Sequence, residues 1–471
     1  MRPWYDAAPA HDRQLVVGDV LLTALAATVV VAAWGGAAAA LCAATLVLIV
    51  WRRAGVALGA LVLGLIGAHL SAAAWRAVQP DALGPVRTWA VVVGDPEPGP
   101  RFTRIVLEVD GERFRAQVYG GERRSLARLE SGQLVEIEGE RRPLAGGRVR
   151  AAQVRHIVGE LDVDWAGDVV EAGPLDLAAN RFRAAVRRGA ESALDPASAA
   201  LFTGLVIGDD VRQDAATVQQ FRDAGLSHLT AVSGQNVAFV LAVAGLVLRR
   251  LRIGWRAVAS LALIAWFVVL TRAEPSVVRA GTMAGWGVVA AALGRPIRPV
   301  RSLALAVLAL VLVDPLLVWS IGFWLSVGAT AGVGVVGPLL EPRLGGPRWL
   351  ATAASVTLGA QLGVIVPSLL VFGRLPALGV LANLLAVPVA GAVMLVGLPT
   401  AVAAAMVPTW VAEVVMLPAE VGTRWVASVA RLVAWLEPSG PRIAMVWAVQ
   451  LWLLGLMVRE RWRSRPLGVE R

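Results

Sequence analysis

The sequence predicts a polytopic α-helical membrane protein with a small β-barrel of OB type inserted outside the membrane. Three observations predict it. Of 471 residues, 57% are hydrophobic and 17% charged, against about 45–50% and about 25% in soluble domains. The apolar excess falls in long blocks, many of them near the ~20 residues that a helix needs to cross a bilayer. Between two groups of such blocks, residues 81–176 become charged and alternate in polarity, as half-buried strands do. Mean hydropathy is +0.66.

Residues 1–80 hold three apolar runs, 16–34, 37–51 and 54–75. The middle one is short for a full crossing and reads as tilted or re-entrant. No small-residue cleavage site follows the first run, so an anchor is expected and not a removed leader.

Residues 81–176 carry the barrel. Ile105, Leu107 and Val109 alternate with Val106 and Glu108, and Asp110-Gly111 follows, a strong two-residue hairpin signal. Phe114, Ala116 and Val118 then alternate with Arg113, Arg115 and Gln117. Val135 and Ile137 alternate with Glu136 and Glu138. With strands expected at 87–94 and 149–157, the count fits a closed OB-type barrel. Such barrels often bind single strands through basic and aromatic side chains. Arg113, Arg115 and Tyr119 offer these, opposed by Glu136, Glu138 and Glu140. A packing or assembly role is the simpler reading.

Residues 177–227 form a linker. In 179–195, Phe182, Val186, Ala190 and Leu194 share one helical face, with Arg181, Arg187 and Arg188 largely off it. A helix lying among lipid headgroups is expected. LFTGLVIGDD follows at 201–210.

Residues 228–460 are dominated by apolar runs. Helices are expected near 229–248, 257–271, 277–294, 302–318, 320–338, 350–371, 376–396, 399–417 and 441–458, giving about twelve crossings in all. The segment 420–437 reads as a surface helix with Trp425, Val429, Leu432 and Leu436 on one stripe. Residues 461–471 form a basic tail.

Every one of the 44 basic residues is Arg, and the net charge is +10. The Arg excess marks topology more simply than nucleic-acid binding, because cytoplasmic loops are enriched in cations. Arg249, Arg250, Arg252 and Arg256 fill one short loop, Arg295, Arg298 and Arg301 another, and Arg343 and Arg348 a third. Loops poorer in Arg alternate with them. Counting from this set puts the barrel outside and the C-terminus in the cytoplasm. Counting independently from Arg52-Arg53 also puts the barrel outside.

Several chemistries are excluded. Cys42 is the single cysteine, so no internal disulfide and no Cys-based metal site can form. His11, His69, His156 and His228 stand singly, without zinc-hydrolase spacing, and there is no GxxxxGK[ST] loop. No cofactor or metal is expected. His228 and Ser233 are not a hydrolase pair, since SGQNV is not a GxSxG elbow and no strand precedes it.

The densest polar cluster lies at 221–240, FRDAGLSHLTAVSGQNVAFV, directly against an apolar run. Polar groups at membrane depth are costly unless they meet one another, water or a substrate. A broken helix there usually lines a cavity. The candidate substrate path comprises Asp209, Asp210, His228, Ser233, Gly234, Gln235, Asn236, Arg279, Asp314, Ser326, Gln361 and Asn383. Arg279, at the outer end of a membrane helix, needs a carboxylate, a carbonyl or water. Glu274 lies five residues away, off the ideal i,i+4 spacing, so another partner such as Asp314 is expected. Singly, the polar groups at the helix ends read better as capped helix ends or interhelical hydrogen bonds; together they favour a polar path through a bundle.

The order and wording of these motifs resemble the ComEC competence family of DNA-uptake membrane proteins. The resemblance runs through LVIGDD at 205–210, AGLSHLTAVSGQNV at 224–237, PSVVRAGTM at 275–283, DPLLVWSIGFWLSVGA at 314–329 and the GAQLG…VP…FG…LANLLAVP run at 359–388. It implies a channel in the cytoplasmic membrane that passes one strand of incoming DNA. Single-stranded DNA and membrane lipid are the implied partners, with a DNA receptor protein, a cytoplasmic helicase and a separate nuclease on other chains. Two departures matter. Asn236 stands where the family usually has the His of SGxH, which removes titration and good metal ligation. Many relatives also continue into a C-terminal metallo-β-lactamase-like domain, whereas this sequence is expected to be a short form without nuclease activity. Two other readings stand beside it: a transporter for another polar or anionic substrate, which rests on the same polar helices, and a membrane-anchored OB-fold binding protein, which rests on residues 81–176.

Overall fold

In the computed structural model, the described residues are 10–51, 54–99, 101–230, 234–295, 297–373 and 376–438, with scattered positions between 440 and 452. The chain divides into two compact units, 1–183 with 252–323, and 184–251 with 324–471. Six helices among the described residues are long and apolar enough to cross a membrane. This is a multi-pass membrane protein carrying a small closed β-barrel.

In the first unit, α1 (Ala10–Trp51) is broken at Gly36, whose φ of 73° and ψ of −162° lie outside the helical region. Along a continuous helix Thr28 and Ala40 would stand about 18 Å apart. Instead, both lie within 3.2 Å of the place a Cβ on Gly64 would take. The chain therefore folds back at Gly36, and the arms 10–35 and 37–51 pack with α2 (Ala54–Ala77), as the separate apolar runs predict. Ser71 of α2 donates to the Ala33 carbonyl at 2.7 Å.

Next comes the barrel: β1 (Gly84–Pro98), β2 (Thr103–Val109), β3 (Glu112–Val118), α3 (Glu122–Leu126), β4 (Leu134–Pro143), α4 (Val149–Gln153) and β5 (Ile157–Val170). The strands close in the order β1-β2-β3-β5-β4. The hairpin forms where expected, with Asp110 and Gly111 at φ 54° and 83° joining Val109 to Glu112. Alternate residues Ile105, Leu107, Phe114, Ala116, Val135, Ile137 and Leu161 fill the core. The last strand starts later than the sequence suggests. Residues 149–153 are helical, and the alternation that matters is Gly159, Leu161 and Val163 against Glu160, Asp162 and Asp164.

The outward arginines are mostly paired. Arg113 meets Glu108 at 3.1 Å, Arg115 meets Glu160 at 2.6 Å, and Arg87 meets Glu136 at 3.3 Å. A surface whose cations are already matched by carboxylates has little field left for a polyanion.

The linker helix α5 (Pro174–Ala193) does not lie among headgroups. It buries Ala179, Arg183, Val186 and Ala190 along one stripe against protein. The period that signals an amphipathic helix is the same for a protein groove and for a membrane surface. The first unit is completed by α10 (Ile253–Leu270), α11 (Pro275–Ala292), α12 (Pro299–Val313) and the 3-10 turn Pro315–Trp319. Leu316 of that turn is fully buried within the barrel core cluster.

The second unit contains α6 (Pro196–Ile207), α7 (Ala215–Asp223), α8 (Ser227–Thr230), α9 (Gly234–Leu248), α13 (Ile321–Ala331), a π-helical turn Gly332–Val336, α14 (Gly337–Leu340), α15 (Arg348–Phe372), α16 (Gly379–Ala404) and α17 (Thr409–Leu436). Here the expected segmentation 376–396, 399–417 and 420–437 is replaced by two long helices. Pro388, Pro399 and Pro418 sit inside them, because neighbours in a bundle can re-satisfy the backbone groups a proline frees. α17 buries Met416, Ala419, Val426 and Val433, while Trp425, Leu432 and Leu436 are exposed. Of the stripe expected there, only Val429 is buried. The helix expected at 441–458 and the basic tail lie largely or wholly outside the described residues.

One contact in this unit has almost no side chain in it. Gly328 faces Gly363, and Gly332 faces Gly359, so α13 with its π turn runs antiparallel to α15 backbone against backbone. A Cβ on Gly332 would meet the Gly359 carbonyl carbon at 2.8 Å and Gly363 Cα at 3.1 Å. Both strands of the seam read small-xxx-small, the spacing that lets membrane helices approach closely.

Candidate functional site

The motif residues of the second unit gather around α6. Its ten residues Ser198–Ile207 are all buried, and it ends in Gly208 at φ 69°, the left-handed cap that lets the chain leave a helix abruptly. Asp209, directly after the cap, is 3% exposed. Arg187 of α5 meets its Oδ2 from Nε at 3.0 Å and Nη2 at 2.8 Å, a charge-assisted fork that offsets the cost of burying a carboxylate. Asp209 thus ties α5 to the end of α6. Asp210 is exposed.

Asn236 enters from the other side. It sits in the first turn of α9, is 2% exposed, and its Nδ2 donates to the Leu205 carbonyl at 3.4 Å. Gly234, at the start of α9, is half-buried, Gln235 is exposed, and His228 on α8 is exposed. Ser233 lies outside the described residues. Gln213, which the sequence did not single out, has both side-chain amide atoms buried without a partner. Its Nε2 presses against Gly204, with the Thr230 carbonyl beside it. The turn of α6 between Thr203 and Ile207 is therefore flanked by two buried amides.

A second group forms where α15 meets α16. Gln361 donates to the Pro376 carbonyl at 3.4 Å, and its Oε1 is buried with no partner. Asn383 donates to the Gly379 carbonyl at 2.7 Å. The Gly225 turn of the polar cluster comes here too, with a Cβ position 3.2 Å from Pro376 and 3.5 Å from Gly379 Cα. Gln361, Asn383 and the start of the 221–240 stretch are thus brought together. Glu437, at the end of α17, accepts from the Ala377 and Leu378 amides, the latter at 3.0 Å, and so caps the start of α16. Ser326, on α13, is half-buried, and its carbonyl accepts from Thr330 at 2.9 Å.

In the first unit, Arg279 is 6% exposed on α11, with Nη1 3.2 Å from Met283 Sδ. Asp314 is not its partner. The Asp314 Oδ2 meets His156 Nε2 of the barrel at 3.0 Å, and Oδ1 accepts from the Leu316 amide at 3.0 Å. Asp314 is a joint between the barrel and the 3-10 turn, reinforced by Arg150 stacked 4.0 Å over the Trp319 ring. No local signal could reveal a partner so distant in sequence.

The second unit holds buried amides and helix ends, and the first unit, taken by itself, holds the buried Arg279 guanidinium. Such groups hydrogen-bond a polar substrate and hold its charge. No solved structure matches the chain. A curated relative, ComE operon protein 3 of Bacillus subtilis (strain 168), is 28% identical over 198 residues, which cover 41% of this chain and 25% of that protein. The chain therefore aligns with about a quarter of the relative's length. The family model described as Competence protein matches residues 205–463, which take in both polar groups of the second unit and Arg279, and the chain belongs to that competence-protein family.

Proposed function

We propose that this protein is a conduit that passes single-stranded DNA across the cytoplasmic membrane during DNA uptake. The observation that carries the reading is the competence-family match across 205–463, the region that holds the buried polar groups around α6 and the α15–α16 junction. The proposed orientation places the barrel outside and the Arg-rich loops in the cytoplasm. In this reading α16 and α17 each cross the membrane once. The Gly225 turn, Gln361 and Glu437 then belong to the outer end of the membrane part. The chain carries the strand without cutting it, since Asn236 neither titrates nor binds metal well. Deleting the gene from a naturally transformable host tests the reading. The expected result is loss of transformants restored by the intact gene, and uptake at the parental frequency would refute it.

A further inference from the structure

One ion cluster lies apart from the expected path. Asp95 sits where the β1–β2 pairing shifts register between Val93 and Glu97, directly after Gly94 at φ 76°. Two guanidinium groups converge on its carboxylate. Arg183 of α5 donates to Oδ2 at 2.6 Å and to the Leu270 carbonyl at 3.1 Å. Arg272, just beyond α10, donates to Oδ1 from Nε at 3.2 Å and from Nη2 at 2.8 Å. The same Nη2 meets Asn180 Oδ1 at 2.6 Å. Side-chain exposure is 3% for Arg183, 14% for Arg272 and 22% for Asp95. These three side chains carry two positive charges and one negative.

Three features set this cluster apart from a plain structural bridge. Arg272 Nη1 is buried with no acceptor. A phosphate, with more oxygens and more charge than a carboxylate, would supply one. Arg272 and Ala273 both hold positive φ, 57° and 52°, a region that non-glycine residues seldom adopt and that gathers at ligand clamps and switches. The strands beside Asp95 also carry a stacking patch. The Phe102 and Tyr119 rings are 5.7 Å apart, and Arg104 lies 5.7 Å over Phe102. Tyr119 is exposed and Phe102 half-buried, and Arg104 is also paired with Glu97 at 2.7 Å; the two ring faces suit the bases of a single strand.

We propose that Arg183 and Arg272 form a phosphate-binding site held closed by Asp95, whose carboxylate occupies the place of a strand phosphate. A strand stacked on Phe102 and Tyr119 displaces Asp95, and Arg272 transmits the change to α11, which begins just beyond it and carries Arg279. Naming the phosphate as a strand's rests on the conduit reading; the phosphate chemistry does not.

The test uses the full chain in detergent with a labelled oligothymidylate. Asp95→Asn removes the competing charge and is expected to tighten binding about tenfold, and adding Arg272→Gln is expected to abolish the gain. Inorganic phosphate is expected to compete more strongly in Asp95→Asn than in the native chain. Unchanged or weaker oligonucleotide binding by Asp95→Asn overturns the proposal. So does failure of both Asp95→Asn and Asp95→Ser to fold, which would make the carboxylate structural. A gain confined to phosphatidylglycerol micelles assigns the site to a lipid headgroup and overturns the strand assignment. If native vesicles pass no strand while the Asp95→Asn gain persists, the conduit reading fails and the phosphate site stands. If strands pass without that gain, the reverse holds.

Discussion

Replacing Gly332 by alanine inserts a methyl group where α13 and α15 touch through their backbones. The added Cβ would sit 2.8 Å from the Gly359 carbonyl carbon and 3.1 Å from Gly363 Cα. Carbon atoms in comfortable contact stand about 3.5–4.0 Å apart, and the Gly359 carbonyl oxygen lies nearer still to the added Cβ, so the seam must open by more than about 1 Å. None of these contacts is a flexible side chain that could swing away. Overpacking of this kind costs about 1–3 kcal/mol, and opening the seam also weakens the close Cα–H···O contacts, worth about 0.5–1 kcal/mol each. A loss of about 2–3 kcal/mol is expected. The assay is heating of the detergent-solubilised full chain, followed by the fraction that remains monodisperse. Gly245→Ala in α9 is the control, because nothing lies within 4 Å of its Cβ position. There alanine is expected to be neutral or stabilising, by up to about 1 kcal/mol of helix propensity. A Gly332→Ala protein as heat-resistant as the native one, or a Gly245→Ala protein equally weakened, would refute the packing described here.

Other expectations follow from single contacts. Arg187→Ala strands the buried Asp209 carboxylate and is expected to cost about 3–5 kcal/mol, visible as early aggregation on heating; an effect no larger than that of exposed Arg188→Ala would contradict the pair. Arg279→Ala is expected to cut transformation by roughly tenfold or more with normal membrane levels, since it removes a buried cation from the proposed path; normal transformation would make the residue structural. The Ser198 amide, then the Ser198 hydroxyl and Arg424, hold the Asp195 carboxyl down at about 2, below its ordinary 3.8. The folded chain thus binds this proton less readily than the unfolded one. The cap stabilises above about pH 4 and fades as pH falls towards 2. With the side chain 42% exposed, Asp195→Ala is expected to cost only about 1 kcal/mol at pH 7. That deficit should shrink at pH 3 in thermal melts, and a deficit independent of pH would contradict the charged cap.

Local patterns carried much of the architecture. Alternation and the Asp110-Gly111 turn located the barrel because a strand's period and a turn's backbone are set by neighbours in sequence. The fold-back at Gly36 was legible as a gap between apolar runs. The expected gaps after 396 and 417 misled: Pro399 and Pro418 fall beside them, yet both lie within helices. The α5 stripe was visible, but not what would cover it. The site was less legible. Asn236, Gln361 and Asn383 stood out as polar residues in apolar surroundings, and the structure does bury Asn236 and bring the other two together. Asp314 stood out for the same reason and proved to be a joint with His156. Pairings such as His156 with Asp314, or Asp95 with Arg272, depend on tertiary placement and leave no periodic trace. Gln213 could not be found either, since its burial is set by Gly204 packing against it. The Gly328, Gly332, Gly359 and Gly363 seam, by contrast, has a readable small-xxx-small spacing.

The most direct measurement is strand entry into sealed vesicles. The purified chain is reconstituted, a labelled single-stranded oligonucleotide is added outside, and a single-strand-binding protein is trapped inside to make entry irreversible. After external nuclease treatment, a conduit gives protected label in native vesicles, little in Arg279→Ala vesicles, and none for the same sequence as a duplex. Protected strand no greater than in protein-free vesicles, or passage of small anions without the oligonucleotide, would contradict it.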